Sequence, residues 1–201
     1  CEGLKISMFF QEGLFVRLPR LETPRLILRR LEMRDAPDLF DYSRDPQVAK
    51  HVLWDAQTSV SEARAYVRYM LRRYRAGEPA SWGIEEKETG RVVGTIGYMW
   101  YQRDNNACEV GYSLARRRWN RGYMTEALAE VLRFSFEELG VHRVEAQHEV
   151  ENAASGAVMR KCGMRKEGTL RGRLYNKGRF VDVDLYAMLR EDYARWARTE
   201  K

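Results

Sequence analysis

Apolar residues recur at helical spacing in two long stretches and alternate in several short ones. Val60, Ala63, Val67, Met70, Leu71 and Tyr74 fall three or four apart. Ser59 and Glu62 before them have the spacing of a capping box and Gly77 stops the run, so a helix is predicted over 59–77. Met124, Leu128, Val131, Leu132, Phe136 and Leu139 form a second stripe, predicting a helix from Gly122 to Leu139 that ends at Gly140. Arg25–Met33 reads as an opening strand, followed by a short helix capped by Asp35 and reaching Tyr42. Strands are predicted over Trp82–Lys87, Arg91–Tyr101 and Ala107–Leu114, with the first two joined by a turn at Thr89-Gly90. Arg143–Val150 reads as a further strand, Asn152 as the cap of a short helix ending before Gly163, and Met164–Leu170 with Phe180–Leu189 as a closing hairpin. The order is β-α-α-β-β-β-α-β-α-β-β, a mixed α/β sheet in one domain.

Three segments follow: an N-terminal extension (1–20), the domain (21–189) and a charged helical tail (190–201). The chain starts at Cys1, and Met8 is a candidate start, so residues 1–7 carry no argument. With 201 residues, 44% of them hydrophobic, one real core is expected. No apolar run approaches the ~20 residues of a membrane span, and no signal pattern opens the chain. Cys1, Cys108 and Cys162 fit neither a disulfide framework nor metal-ligand spacing, and His51, His142 and His148 are scattered, so a reduced, metal-free cytoplasmic protein is expected. The formal charge of +6 raises nucleic acid as a ligand. Basic residues interleave with acidic ones and no recognition motif accompanies them, which argues against it.

Glu109 to Ala127, EVGYSLARRRWNRGYMTEA, combines a strand, a basic loop and the start of an amphipathic helix. Free N–H groups at such a terminus attract phosphate oxygens; Gly122 permits close approach, and Arg116, Arg117, Arg118 and Arg121 supply countercharge. An arginine-rich solvated loop before a core helix is the competing reading.

Trp119-Asn120-Arg121-Gly122-Tyr123-Met124-Thr125-Glu126-Ala127 resembles the acetyl-CoA-binding motif of the GNAT acetyltransferases, in the form found in ribosomal-protein alanine or serine N-acetyltransferases. Glu22-Thr23-Pro24-Arg25-Leu26-Ile27-Leu28-Arg29, Glu109-Val110-Gly111-Tyr112-Ser113-Leu114, and Asn152-Ala153-Ala154-Ser155 through Lys161-Cys162-Gly163-Met164 resemble further segments of that subfamily, in order. Asn120 and Met124 depart from its usual small residues, and Leu174 stands where some relatives carry a carboxylate. The resemblance implies a mostly antiparallel twisted sheet, splayed at the CoA site and flanked by helices. It also implies contacts to acetyl-CoA from Tyr112, Ser113 and Leu114, from Arg117 and Trp119 to Thr125, and from Asn152, Ser155 and Lys161.

Transfer to an amine needs a base, a polarised thioester carbonyl and a proton for the thiolate. Glu109 is the candidate base, with a surface carboxylate as its alternative. Ser155 and Tyr175 compete as proton donor, against a capping hydroxyl and a cleft wall. Trp54, Trp82, Trp100 and Tyr101 are core or acceptor-cleft walls, and Cys162 is packing. The expected acceptor is a protein N-terminal α-amine. A small amine such as a polyamine, amino acid or aminoglycoside is the alternative, and a non-catalytic CoA-sensing or RNA-associated module is the reading from another class. Either a monomer or a homodimer is compatible.

Overall fold

The computed structural model describes residues 13–199. Among these, one sheet runs in the order β1-β2-β3-β4-β5-β6-β8-β7. Its strands are β1 (Leu21–Glu22), β2 (Leu26–Arg29), β3 (Ser81–Glu86), β4 (Arg91–Gln102), β5 (Ala107–Leu114), β6 (Arg143–Glu149), β7 (Arg165–Asn176) and β8 (Arg179–Leu189). The helices are α1 (Ala36–Ser43), α2 (Pro46–Ala49), α3 (Val60–Ala76), α4 (Tyr123–Arg133), α5 (Ala153–Lys161) and α6 (Arg190–Thr199). Every described strand pairing is antiparallel except that of β5 with β6, whose crossover contains α4.

Helices cover both faces. Neighbouring β5 residues show this, because Ser113 meets α1 through Tyr42 Oη at 3.3 Å while Tyr112 meets α5 through Ser155. Central β4 is therefore buried continuously from Val92 to Tyr98, where a half-exposed strand would alternate. On α3 the predicted stripe holds: Ala63, Val67, Met70 and Tyr74 are buried, and Gly77 ends the helix at φ +69°. Glu62, expected to reach back to Ser59, instead accepts from the Thr58 N–H at 3.0 Å and the Thr58 hydroxyl at 2.7 Å.

The helix expected over 122–139 is α4 followed by a π-helical turn, Phe134–Glu138. At that turn the buried Ser135 hydroxyl donates to Val131 O at 2.7 Å and meets Tyr98 Oη at 2.6 Å, so a polar pair inserts where the helix widens. The opening strand is shorter than its apolar pattern implies. After Arg29 the chain turns into a 3-10 turn at Met33–Asp35, and Asp35 accepts both Arg29 guanidinium nitrogens at 2.8 Å instead of capping α1. Residues 13–20, set outside the domain by the sequence reading, pack into it: Leu14, Phe15 and Leu18 join the core.

Trp82 fastens this segment. Its ring is fully buried against Tyr98 and Phe134, and its Nε1 donates to Pro19 O at 2.6 Å. Trp82→Phe keeps the aromatic packing but leaves that carbonyl unmet. It is expected to cost roughly 1–3 kcal/mol in urea unfolding; an unchanged midpoint would show that this hydrogen bond adds nothing to stability.

Candidate active site

The parallel pair β5–β6 is short. Ala107, Cys108 and Glu109 pair with Arg143, Val144 and Glu145, and then the strands diverge, β5 continuing to Leu114 and β6 to Glu149. Past Glu109 the edge of β5 that faces the gap has no strand partner among the described residues, which leaves main-chain donors and acceptors for another molecule. The N-terminal turn of α5 closes one side of the gap. There Ser155 Oγ donates to Tyr112 Oη at 3.0 Å, and Tyr112 Oη donates to Ser155 O at 3.1 Å. Burial pushes the Tyr112 phenol well above its usual pKa. Asn152 caps α5 through its side-chain oxygen and the Ser155 N–H, 3.4 Å apart.

Glu109 is half-buried at the point of divergence. Trp100 Nε1 donates to its Oε2 at 2.5 Å, and Gln147 Nε2 donates to its Oε1 at 3.0 Å. The Trp100 contact depends on a β-bulge: Tyr98 faces Val110 and Trp100 faces Glu109, so Met99 is an extra residue on β4. Met99 lies over Gly111, where an added Cβ would sit 2.6 Å from its sulfur and push that side chain aside. Burial raises the Glu109 pKa; the Trp100 and Gln147 donors pull it back without cancelling the rise.

Below the gap lies the basic loop. Trp119 Nε1 donates to Leu114 O at 2.8 Å. Asn120 has φ +56° and Gly122 +76°, two left-handed residues that fold the chain back before α4. Asparagine tolerates that region better than most residues, which explains how it stands in place of a glycine. No side chain caps the start of α4, and its first N–H groups remain available to a ligand. Met124 and Tyr123 are buried in the core, the Thr125 carbonyl accepts from the Cys162 thiol at 3.4 Å, and Lys161 is exposed at the end of α5.

Three of the four loop arginines are engaged within the protein. Arg116 pairs with Asp45 at 2.8 Å, Arg117 with Asp41 at 2.5 Å, and Arg118 grips Glu86 with two nitrogens at 2.7 and 2.6 Å. Countercharge for a phosphate therefore falls mainly to Arg121, whose guanidinium has no partner among the described residues and whose carbonyl accepts from Arg25 at 2.9 Å. Glu126, in the first turn of α4, ties that helix to the turn between β1 and β2 through Thr23 and Arg25.

Tyr175 stands apart from Glu109. The register pairs Tyr175 with Phe180 and Asn176 with Arg179, so Tyr175 lies on the face opposite Asn176. Asn176 reaches Glu149 and Gln147 reaches Glu109, and both contacts lie on the other face. Tyr175 is 63% exposed and packs edge-on to Phe180. Gln147 enters the site as a residue the sequence reading did not assign to it, and Trp100, read as a core or acceptor-cleft wall, enters it as a donor to Glu109. Alternation of Glu145, Gln147 and Glu149 along β6 was the available signal for Gln147.

Residues 25–165 match the family described as the acetyltransferase (GNAT) domain. A Bacillus licheniformis protein named uncharacterized N-acetyltransferase p20 is 35% identical over 174 residues, covering 87% of this chain and 98% of its own. The ribosomal protein uS5-alanine N-acetyltransferase of Escherichia coli is 26% identical over 182 residues, covering 87% and 92%. A solved GNAT-family acetyltransferase from Bacillus anthracis superposes with a TM-score of 0.77 at 26% identity, over 86% of this chain and 99% of that one.

The Glu86 cluster yields a pH test. Arg118 holds the buried Glu86 carboxyl down at about 2, with the Tyr123 hydroxyl donating to it at 2.8 Å. A depressed native pKa stabilises the fold above the unfolded value of ~4.3, and that contribution fades as pH falls toward 2. Glu86→Gln is expected to destabilise the protein at pH 7 by roughly 1–3 kcal/mol, with a deficit that shrinks between pH 4.5 and 2 in urea titrations. A deficit independent of pH would contradict the ion pair as its source.

Proposed function

The chain belongs to the GNAT acetyltransferase family, and on that premise we propose that it acetylates the N-terminal α-amine of a protein, with Glu109 as the base. Acetyl-CoA supplies a thioester whose carbonyl carbon accepts the amine and whose sulfur leaves. The left-handed Asn120 and Gly122, the uncapped start of α4 and the Arg121 guanidinium suit its phosphates. The unpaired edge of β5 beyond Glu109 suits its pantetheine amides and the acetyl oxygen.

One observation carries the reading: a half-buried glutamate at the strand divergence, with both oxygens held by neutral donors. Burial moves its pKa up toward the working range, while two hydrogen bonds fix its orientation. Glu109 takes the proton the amine loses as the C–N bond forms. Ser155, hydrogen-bonded to Tyr112, gives a proton to the sulfur as the C–S bond breaks and regains one from water, while Glu109 returns its proton to solvent. An α-amine has a pKa of ~7.7–8 against ~10.4 for lysine, so it suits a single carboxylate base. Likeness to the uS5-alanine enzyme favours the same acceptor class, and cytoplasmic substrates of this kind accord with a cytoplasmic enzyme.

Labelled acetyl-CoA offered to matched peptides, one with a free N-terminus and one blocked but carrying lysine, should label the first alone. Equal labelling would overturn the α-amine reading. Glu109→Gln should keep CoA affinity while turnover falls by ~10²–10⁴-fold, with the loss shrinking toward pH 9.5 as solvent deprotonates the amine. Trp100→Phe removes a donor that lowers the Glu109 pKa, so the acidic limb of its kcat/KM profile should move to higher pH. A limb that stays in place would remove Glu109 from the profile.

A further inference from the structure

Basic and acidic residues interleave along most of the chain, but on the surface of α3 they do not. That helix carries five arginines and one carboxylate, Glu62, which is tied to Thr58 at its N-terminal end. Four of the arginines, Arg64, Arg68, Arg72 and Arg75, are exposed. At about 100° per residue they fall within an arc of about 80°, and they run about 16 Å along the helix.

Other surface arginines hold carboxylates, as Arg91 holds Asp38, Arg179 holds Glu151 and Arg195 holds Asp192. None of the four on α3 takes such a partner among the described residues. Like charges three or four residues apart on a helix repel, and the helix dipole offsets this only in the last turn, at Arg75. The helix thus bears an electrostatic cost that no contact within the protein relieves. A polyanion laid along the stripe relieves it.

The surroundings select the polyanion. Apart from Tyr69, the exposed residues beside the stripe are small, among them Ser61, Ala65 and Ala76, so it lacks the apolar patch on which affinity for a protein partner turns. The apolar face of α3, with Ala63, Val67, Met70 and Tyr74, is buried in the core and has nothing to insert into a lipid surface. Guanidinium groups about 6 Å apart, the rise of four helical residues, suit successive phosphates of one strand, and each offers a fork of donors to phosphate oxygens. Tyr69, 42% exposed between Arg68 and Arg72, adds a ring on which an unpaired base can stack, while Arg73 donates to its hydroxyl at 2.8 Å.

We propose that the exposed face of α3 docks single-stranded RNA, with Arg64, Arg68, Arg72 and Arg75 on phosphates and Tyr69 against a base. Unpaired bases of this kind stand in the loops and ends of folded RNA. None of these side chains takes part in the transfer proposed above, so RNA locates the enzyme without entering its chemistry, whatever the acceptor.

Fluorescence anisotropy of a labelled, unstructured RNA of about 20 nucleotides, titrated with the wild-type protein between about 50 and 200 mM salt, tests this. Four phosphate contacts predict a log–log salt slope of about −3, so affinity should fall roughly fiftyfold over that range. Arg68→Gln combined with Arg72→Gln should halve the slope, leaving a fall of roughly sevenfold, and should weaken binding at the lowest salt by about tenfold or more. Arg165→Gln combined with Arg195→Gln removes the same charge from pairs with Asp192 and should change neither quantity. Tyr69→Ala should weaken the single strand more than an RNA duplex of the same length. Peptide acetylation should continue at the wild-type rate in both double variants, and the melting temperature of the stripe variant should hold or rise as repulsion is relieved. Absence of binding by the wild-type protein at low salt, or an equal loss in the two double variants, overturns the proposal. Displacement of the RNA by polyglutamate at equal charge also overturns it and assigns the stripe to an acidic protein. Tighter binding of the duplex than of the single strand overturns the single-strand assignment.

Discussion

β5 and β6 pair at only three positions before separating, and the proposed transfer depends on that separation. Two parallel strands in one sheet would ordinarily satisfy each other's main chain along their whole length. Here α5 begins directly after β6, and its first turn packs against Tyr112 through two hydrogen bonds and brings Gly156 against His148, where any added Cβ would sit 2.6 Å from the imidazole Nε2. The helix holds the strands apart from one face. The opposite face is left to Glu109, which sits at the last paired position and is turned toward the α1 side with Gln147 and Ser113.

Charge is distributed to keep this opening firm. Arg116, Arg117 and Arg118 draw carboxylates from α1, the α1–α2 link and β3 onto one short loop, so the loop is braced from several sides before any ligand arrives. Exposed pairs of this kind add little stability one at a time. Glu86 is the exception, being buried and held by both Arg118 and Tyr123. With those three arginines engaged, the left-handed turn at Asn120–Gly122, the N–H groups of α4 and Arg121 make up the proposed anion site. Preorganisation of this kind leaves little to rearrange when a phosphate binds.

Much of the fold was legible along the chain, because α3 and β6 each follow one period, and β3, β4, β5 and the hairpin strands are β-rich runs bounded by turns. The early end of β2 was not, since Asp35 is drawn into a buried pair with Arg29 that no local pattern reveals. Nor was the π turn, whose Ser135 partner Tyr98 is distant in sequence. At the site, alternation places Glu109, Gly111 and Ser113 on one face correctly. The contact of Trp100 with Glu109 requires the extra residue Met99, and a period-two reading of β4 puts that indole out of step. Tyr175 looked close to the chemistry because its hairpin is; the register turns it to the other face. The arginine loop read as countercharge because its acidic partners, Asp41, Asp45 and Glu86, lie 30 or more residues away in sequence.

The most direct test of this account is a structure of the protein bound to CoA. It should place the pyrophosphate against residues 119–123 and the start of α4, with the thiol end in the opening between β5 and β6, within reach of the Tyr112–Ser155 hydroxyl pair. A CoA molecule whose sulfur lies away from that opening, or whose binding leaves the β5 edge beyond Glu109 untouched, would contradict the claim that the strand divergence is where transfer occurs.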